Sequence, residues 1–384
     1  MLQSVVRRVL LVICICVCGC GSSLFAQDFH GLKIHGFATQ GVLYSSNNNY
    51  LTTDSSSGSF RWTDGAVSVT DSLTDNLRLG IQLHMYQLGQ LGGPDLEVDW
   101  VSADYKFNDF LGFRAGKVKT VLGLFNDSQD VDAIFLWTLL PQGSYPIDNK
   151  SFFLSHTGGD AYGTIGLGRR AGKLRYTGYV GKSTLDLDGG FVKQASQYGL
   201  DFKTGPAGLT YGGDLRWDSF VKGLTMGTSV DVEDEDGRAP QGSEHISPFH
   251  ITAQYAQFSI GKLYLAGEYK RDPLNLILKL GPAVIPVPVD ERIWFAMASY
   301  RIFRRAQAGT YYSHYVNKSM NTALPANYSK DFVISGRYDF NAYFYGKIEG
   351  HFLHGTGLGY YNDTNPGGLK TNSCMLAAKI GFSF

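Results

Sequence analysis

The chain is predicted to be all-β, a transmembrane antiparallel up-and-down β-barrel of about sixteen strands. Three observations lead there. Segments alternate apolar and polar residues at period two, and the links between them alternate short and long. No apolar run reaches the roughly 18 residues that a membrane-spanning helix needs. Composition agrees: 47 glycines and an aromatic content of 14%, almost all Tyr and Phe, suit many short strands with glycine punctuation and aromatic ends. No linker or composition shift divides the 384 residues, so one large unit is expected.

Residues 1–26 stand apart. Arg7 and Arg8 precede the apolar run VLLVICICVC, and Ala26 offers a small residue for cleavage, so a secretory signal is expected. The alternative is lipid attachment at Cys20, against which Cys18 fits poorly in the preceding motif. Cys14, Cys16, Cys18 and Cys20 all fall in this leader. After cleavage at Ala26 only Cys374 remains, which excludes a disulfide framework and a Cys-based zinc site. Lys and Arg together match Asp and Glu at 34 each, and a nearly neutral chain argues against nucleic acid as a partner.

Residues 27–384 are expected to form the barrel. In 77–86, Leu77, Leu79, Ile81, Leu83 and Met85 share one face while Arg78, Gln82, His84 and Tyr86 share the other. KLRYTGYVG opposes Leu174, Tyr176 and Val180 to Arg175, Thr177 and Tyr179, and GLTYGGDLRW opposes Leu209, Tyr211, Leu215 and Trp217 to Thr210, Asp214 and Arg216. Strands are expected near 32–45, 60–71, 76–87, 97–107, 111–119, 158–168, 173–182, 208–218, 221–233, 247–258, 262–271, 290–303, 305–316, 330–340, 342–354 and 372–384. Alternation alone also suits a soluble sandwich. The links decide, because tight turns at one end and long loops at the other are the outer-membrane pattern, with the short end periplasmic.

QYGLDFKT at 197–204 looks like a further strand. Letting it span would reverse every later link and put Glu233-Asp234-Glu235-Asp236 among the periplasmic turns, so 183–207 is assigned to an outer loop and the acidic run to a solvated one. Eighteen strands is the alternative count. In the last segment Cys374, Leu376, Ala378, Ile380, Phe382 and Phe384 share one face, an apolar aromatic end suited to closing a barrel. Trp62, Trp217 and Tyr343 near strand ends fit interfacial girdles.

One link breaks the pattern. After the strand LGFRAGKVK, residues 120–157 run through TVLGLFNDSQDVDAIFLWTLLPQGSYP, too long for an ordinary connection and too rich in Leu, Phe, Ile and Trp for a solvated one. It must pack against something.

Gly36-Phe37-Ala38-Thr39-Gln40-Gly41, Arg114-Ala115-Gly116-Lys117-Val118-Lys119, Leu122-Gly123-Leu124-Phe125-Asn126, Asp130-Val131-Asp132-Ala133 and Leu140-Pro141-Gln142 carry a resemblance. The chain resembles a Gram-negative outer-membrane porin, and within that class it is most similar to the phosphate-selective and dicarboxylate-type trimeric porins. Val121 departs from the pattern, where relatives are expected to have proline. The resemblance implies an outer-membrane channel for small hydrophilic solutes, a homotrimer in contact with lipid and lipopolysaccharide, no cofactor, and a constriction-type loop at 120–157.

For such a channel the chemistry is electrostatic, since fixed charges in a narrow low-dielectric neck filter ions. Inward faces are expected to supply Arg78, Arg114, Arg175, Arg216, Lys270, Arg337 and Lys347, against Asp104, Asp214, Asp231, Glu268, Asp339 and Glu349. The plain reading is that most of these form solvated pairs between neighbouring strands. Arg114, at mid-height before the long loop, is the best exception. Arg78, Arg114, Arg175 and Arg216 on the wall and Asp127, Asp130 and Asp132 on the loop are the expected constriction, with a mild anion preference. Lys117 and Lys119 break the outward apolar face and either meet a neighbouring subunit or turn inward at a bulge. Calcium at the three aspartates is the alternative, but the spacing lacks the Gly and closing Glu of an EF-hand. Residues 133–137 fit a piece wedged against the wall or a subunit contact. No HExxH or GxSxG occurs, and Ser155-His156 is not a catalytic arrangement. A barrel enzyme or an adhesin acting through its outer loops is the competing function.

Overall fold

The computed structural model describes residues 32–384; the expected leader lies outside them. The described residues form one closed antiparallel sheet of sixteen strands. These are β1 (Leu32–Ser45), β2 (Trp62–Ser72), β3 (Leu77–Leu88), β4 (Leu91–Lys106), β5 (Gly112–Lys119), β6 (Ser155–Gly166), β7 (Lys173–Thr184) and β8 (Ala207–Asp218), followed by β9 (Leu224–Ala239), β10 (Gly242–Ile260), β11 (Leu263–Leu280), β12 (Ala283–Phe303), β13 (Ala306–Asn317), β14 (Tyr328–Asp339), β15 (Phe344–His354) and β16 (Asn372–Ser383). Each pairs with its neighbours in sequence, and β1 closes on β16 from Phe37↔Ser383 to Ser45↔Met375. The expected sixteen strands are present. The segment 197–204 does not span: the helix α2 (Gly190–Gln197), preceded by the short α1 (Lys150–Leu154), ends where it begins.

The wall is turned inside out relative to a water-soluble sheet. Along β14, Phe332, Ile334 and Tyr338 are exposed while Asp331, Val333 and Ser335 are buried. Along β15 and β16, Ile348, Phe352, Leu376 and Ile380 face outward, and Lys347, Glu349, His351 and Lys379 face the lumen. Transferring one such apolar side chain out of water is worth about 1.5–3 kcal/mol, so an outer belt of them is stable only against hydrocarbon. A single closed sheet also leaves no second sheet to cover that belt, which removes the soluble-sandwich reading.

Short turns gather at one end, as at residues 73–76, 107–111, 261–262 and 304–305. At the other end the structure departs from expectation. Loops expected at 234–246 and 272–289 are strand almost throughout, because β9 to β12 run on past the belt and turn tightly at 240–241 and 281–282. Residues 88–96 likewise belong to β3 and β4 around a turn at 89–90. The acidic run is therefore not a solvated loop. Period two splits it, placing Glu233 and Glu235 inward at 3% and 2% exposure and Asp236 outward. Helix α2 caps this tall region, with Val192, Leu185, Leu200 and Phe202 forming one apolar cluster against Ala239, Leu278 and Leu280.

One seam is short. β5 pairs with β4 only from Lys106↔Gly112 to Val101↔Lys117, so the upper half of β4 has no β5 partner, and there the chain leaves the wall for the long loop. Gly116 lies in this seam with φ of 135°, and a Cβ there would sit 2.1 Å from the Val101 carbonyl oxygen. Only glycine fits. Gly116→Ala is expected to cost about 1–3 kcal/mol or more, read as a lower urea midpoint in detergent micelles. Gly178→Ala, whose Cβ would meet nothing closer than 3.9 Å, should leave the midpoint near that of the native chain.

Candidate functional site

The long loop folds into the barrel. Its apolar residues Leu124, Phe125, Leu136, Trp137, Leu140 and Tyr145 pack on Tyr255, Phe295, Met297, Tyr311 and Val333, all inward-facing on β10 and β12–β14. Of residues 133–137, Leu136 and Trp137 with Phe135 beside them pack against the barrel's own wall, while Ile134 is exposed. Backbone N–H and C=O groups buried this way need partners, and the wall provides them. Glu349 accepts the Thr138 and Leu139 amides at 3.1 and 3.0 Å. Glu268 accepts the Leu124 amide at 2.8 Å and the Tyr145 hydroxyl at 2.5 Å. Arg337 Nη1 donates to the Ala133 and Phe135 carbonyls at 2.5 and 2.9 Å. These inward charges hold the loop, rather than simply pairing between neighbouring strands.

Asp132 makes a further attachment, with two ion pairs. It lies between Lys347 of β15 and Lys379 of β16, each at 2.9 Å, and accepts the Tyr345 hydroxyl at 2.9 Å. Burial alone would raise its carboxyl, but Lys347 and Lys379 prevail and hold it well below the usual carboxylate range. Asp132 is thus an anchor with 7% exposure and not a charge on the neck, which corrects the sequence expectation. Lys379 gave a signal in sequence: it is the lone charge in SCMLAAKIGFSF, on the face opposite the apolar one. It also lies over the Trp62 ring at 4.2 Å.

The loop leaves the lumen beside β3–β8 open as a cavity of about 550 Å³. Arg78, Arg114, Lys117, Lys119, Arg175, Arg216 and Asp127 all line it, so the structure brings together most of the residues singled out in the sequence. Each arginine is differently held. Arg114 pairs with Asp160 at 2.9 Å and sits over the Tyr162 ring at 4.9 Å. Arg175 forks onto Asp218 at 2.9 and 2.8 Å. Arg216 meets the Tyr255 hydroxyl at 2.9 Å and Asp214 at 3.5 Å. Arg78 is exposed to the cavity. Burial pushes the Asp127 carboxyl up from the ordinary aspartate value, with Arg216 opposing.

Lys117 is the last β5 residue paired with β4, and Lys119 lies just beyond, where the ladder is missing. Lys117 donates to the Val98 carbonyl at 2.8 Å, and Lys119 forms an ion pair with Asp130. Asp130 also accepts Gln82 Nε2 at 2.8 Å, and the same amide donates to Asp99 at 2.6 Å. Burial would raise Asp130, but Lys119 outweighs it and keeps it ionised. The chain Lys119–Asp130–Gln82–Asp99 thus stitches the loop to β3 and β4, with Gln82 and Asp99 as the members not singled out beforehand. The three aspartates have different surroundings: Asp130 pairs with Lys119, Asp132 with Lys347 and Lys379, and Asp127 lines the cavity.

On the long-loop side of this chain lies a second cavity of about 500 Å³, lined by Asp95, Glu97, Asp99, Asp148, Asp186 and Asp188 together with His84, Lys150 and Lys182. Lys117 lines both cavities. Asp148 accepts the Tyr361 hydroxyl at 2.8 Å, and burial raises its carboxyl.

No protein-family model and no curated protein sequence matches the chain. Solved structures do. An anion-selective porin from Comamonas acidovorans superposes with a TM-score of 0.59 at 11% identity, over 92% of this chain and 99% of that one. OmpF of Salmonella typhi, in complex with daunomycin, gives 0.58 at 13% identity over 92% and 97%. OmpT, an outer membrane protein of Vibrio cholerae in its trimer form, gives 0.53 at 11% over 92% and 99%. The fold is that of Gram-negative outer-membrane porins.

Asp132→Ala leaves two buried lysines without a counter-charge and is expected to cost about 3–5 kcal/mol, measured as a loss of unfolding free energy in detergent. The native anchor has a pH signature. Because the folded-state carboxyl is held below its unfolded value, its contribution is complete above the ordinary carboxylate range and fades as pH falls through that range towards the folded value. Stability should therefore drop on acidification in the native chain, and by a smaller amount in Asp132→Ala.

Proposed function

We propose that the chain is an outer-membrane porin, a water-filled channel for passive diffusion of small hydrophilic solutes, with a mild anion preference. One observation carries this reading: a loop anchored inside a closed barrel narrows the lumen without filling it, and in the cavity nearer the short turns arginines and lysines outnumber carboxylates. Fixed cations in a narrow neck enrich anions. The short-turn end would face the periplasm and the tall hairpins the exterior. The trimer form of one structural relative supports a homotrimer, with the outer belt shared between lipid and neighbouring subunits.

In planar bilayers the purified protein should give stepwise conductance, and under a KCl gradient the reversal potential should favour chloride. Absence of steps would defeat the channel, and a cation-favouring potential would defeat the anion preference. Arg78→Gln removes a charge worth about 1 kcal/mol at contact range in water, so it should lower the anion-to-cation ratio by up to roughly fivefold. Sedimentation in detergent should return a mass of three chains.

A further inference from the structure

The two cavities carry opposite charge, and they lie in series along the lumen. In the one nearer the short turns, Arg78, Arg114, Arg175, Arg216, Lys117 and Lys119 outnumber Asp104, Asp127 and Asp214. In the one nearer the long loops, Asp95, Glu97, Asp99, Asp148, Asp186 and Asp188 outnumber Lys117, Lys150 and Lys182. Among the exposed members the balance differs in sign too, with Arg78 on one side and Asp95, Glu97 and Asp188 against the single Lys182 on the other. Between them lies the stitch Lys119–Asp130–Gln82–Asp99, and Lys117 borders both.

We propose that these vestibules form a bipolar junction that makes the channel rectify, conducting more readily when the long-loop side is positive. This rests on the porin reading. Each vestibule concentrates the ion of opposite sign. With the long-loop side positive, cations enter through the acidic vestibule and anions through the basic one. Both arrive at the junction and raise its ion content. With the polarity reversed, each ion must enter through the vestibule that excludes it, and the junction is depleted. The effect needs a Debye length comparable to the lumen, about 10 Å at 0.1 M and about 3 Å at 1 M salt.

The test is the single-channel current–voltage curve in KCl, with sidedness fixed by streptavidin capture of a biotin tag inserted at the 240–241 turn. At 0.1 M the ratio of currents at opposite voltages should be about twofold, larger with the long-loop side positive, and it should approach unity at 1 M. The combined variant Asp95→Asn, Glu97→Gln and Asp188→Asn should bring the 0.1 M ratio most of the way to unity while the channel still opens. Steps that are linear at 0.1 M, a ratio of opposite sense, or a ratio unchanged in the variant would each overturn the junction and leave the porin standing. Absence of steps would overturn both.

Discussion

Placing Asp132 between Lys347 and Lys379 is the interaction on which the lumen depends. A loop of this length inside a barrel has two problems: its backbone polar groups leave water, and its path must be unique. Apolar packing on β10–β14 provides most of the attraction but little direction. Direction comes from charged groups that accept or donate to particular backbone atoms, Glu268, Glu349 and Arg337 among them. Such groups are costly when unpaired in a buried setting, so alternative seatings of the loop are disfavoured. The site itself then follows, because a loop held against β10–β16 leaves open the opposite side of the lumen, where the arginines stand.

The barrel was legible because its signals are local. Period two gives the strands, and the rhythm of the links gives their number and direction. The links failed where strand continued past the membrane: 234–246 and 272–289 carry charges and prolines that read as loop, but antiparallel pairing with a neighbour outweighs those preferences. Arg78, Arg114, Arg175 and Arg216 were legible for a similar reason, since inward parity alone brings them to one lumen. Asp132 was not. Its partners are more than two hundred residues away, and nothing in a run of three aspartates says which of them will be buried. Lys117 and Lys119 were ambiguous in sequence because parity assumes an intact ladder, and β5 loses its β4 partner at that point.

The same lumen shows how one wall can serve two purposes. Inward residues of β10–β14 supply the aromatic surface on which the loop lies, whereas those of β3–β8 supply the four arginines that line the open cavity. Neither set is conspicuous in a single strand. The division emerges only around the circumference, which is why a one-dimensional reading finds the charges more easily than the surface that keeps the loop away from them.

Asp132 belongs to the middle of the chain, and its lysines belong to the last two strands. The narrowing of the lumen therefore cannot be completed while the chain is being laid down in order. Until β15 and β16 are in place, the loop lacks the two lysines that flank Asp132, although Glu268 and Arg337 on earlier strands can already hold parts of it. Pairing the last hairpin and seating the middle of the loop are thereby coupled.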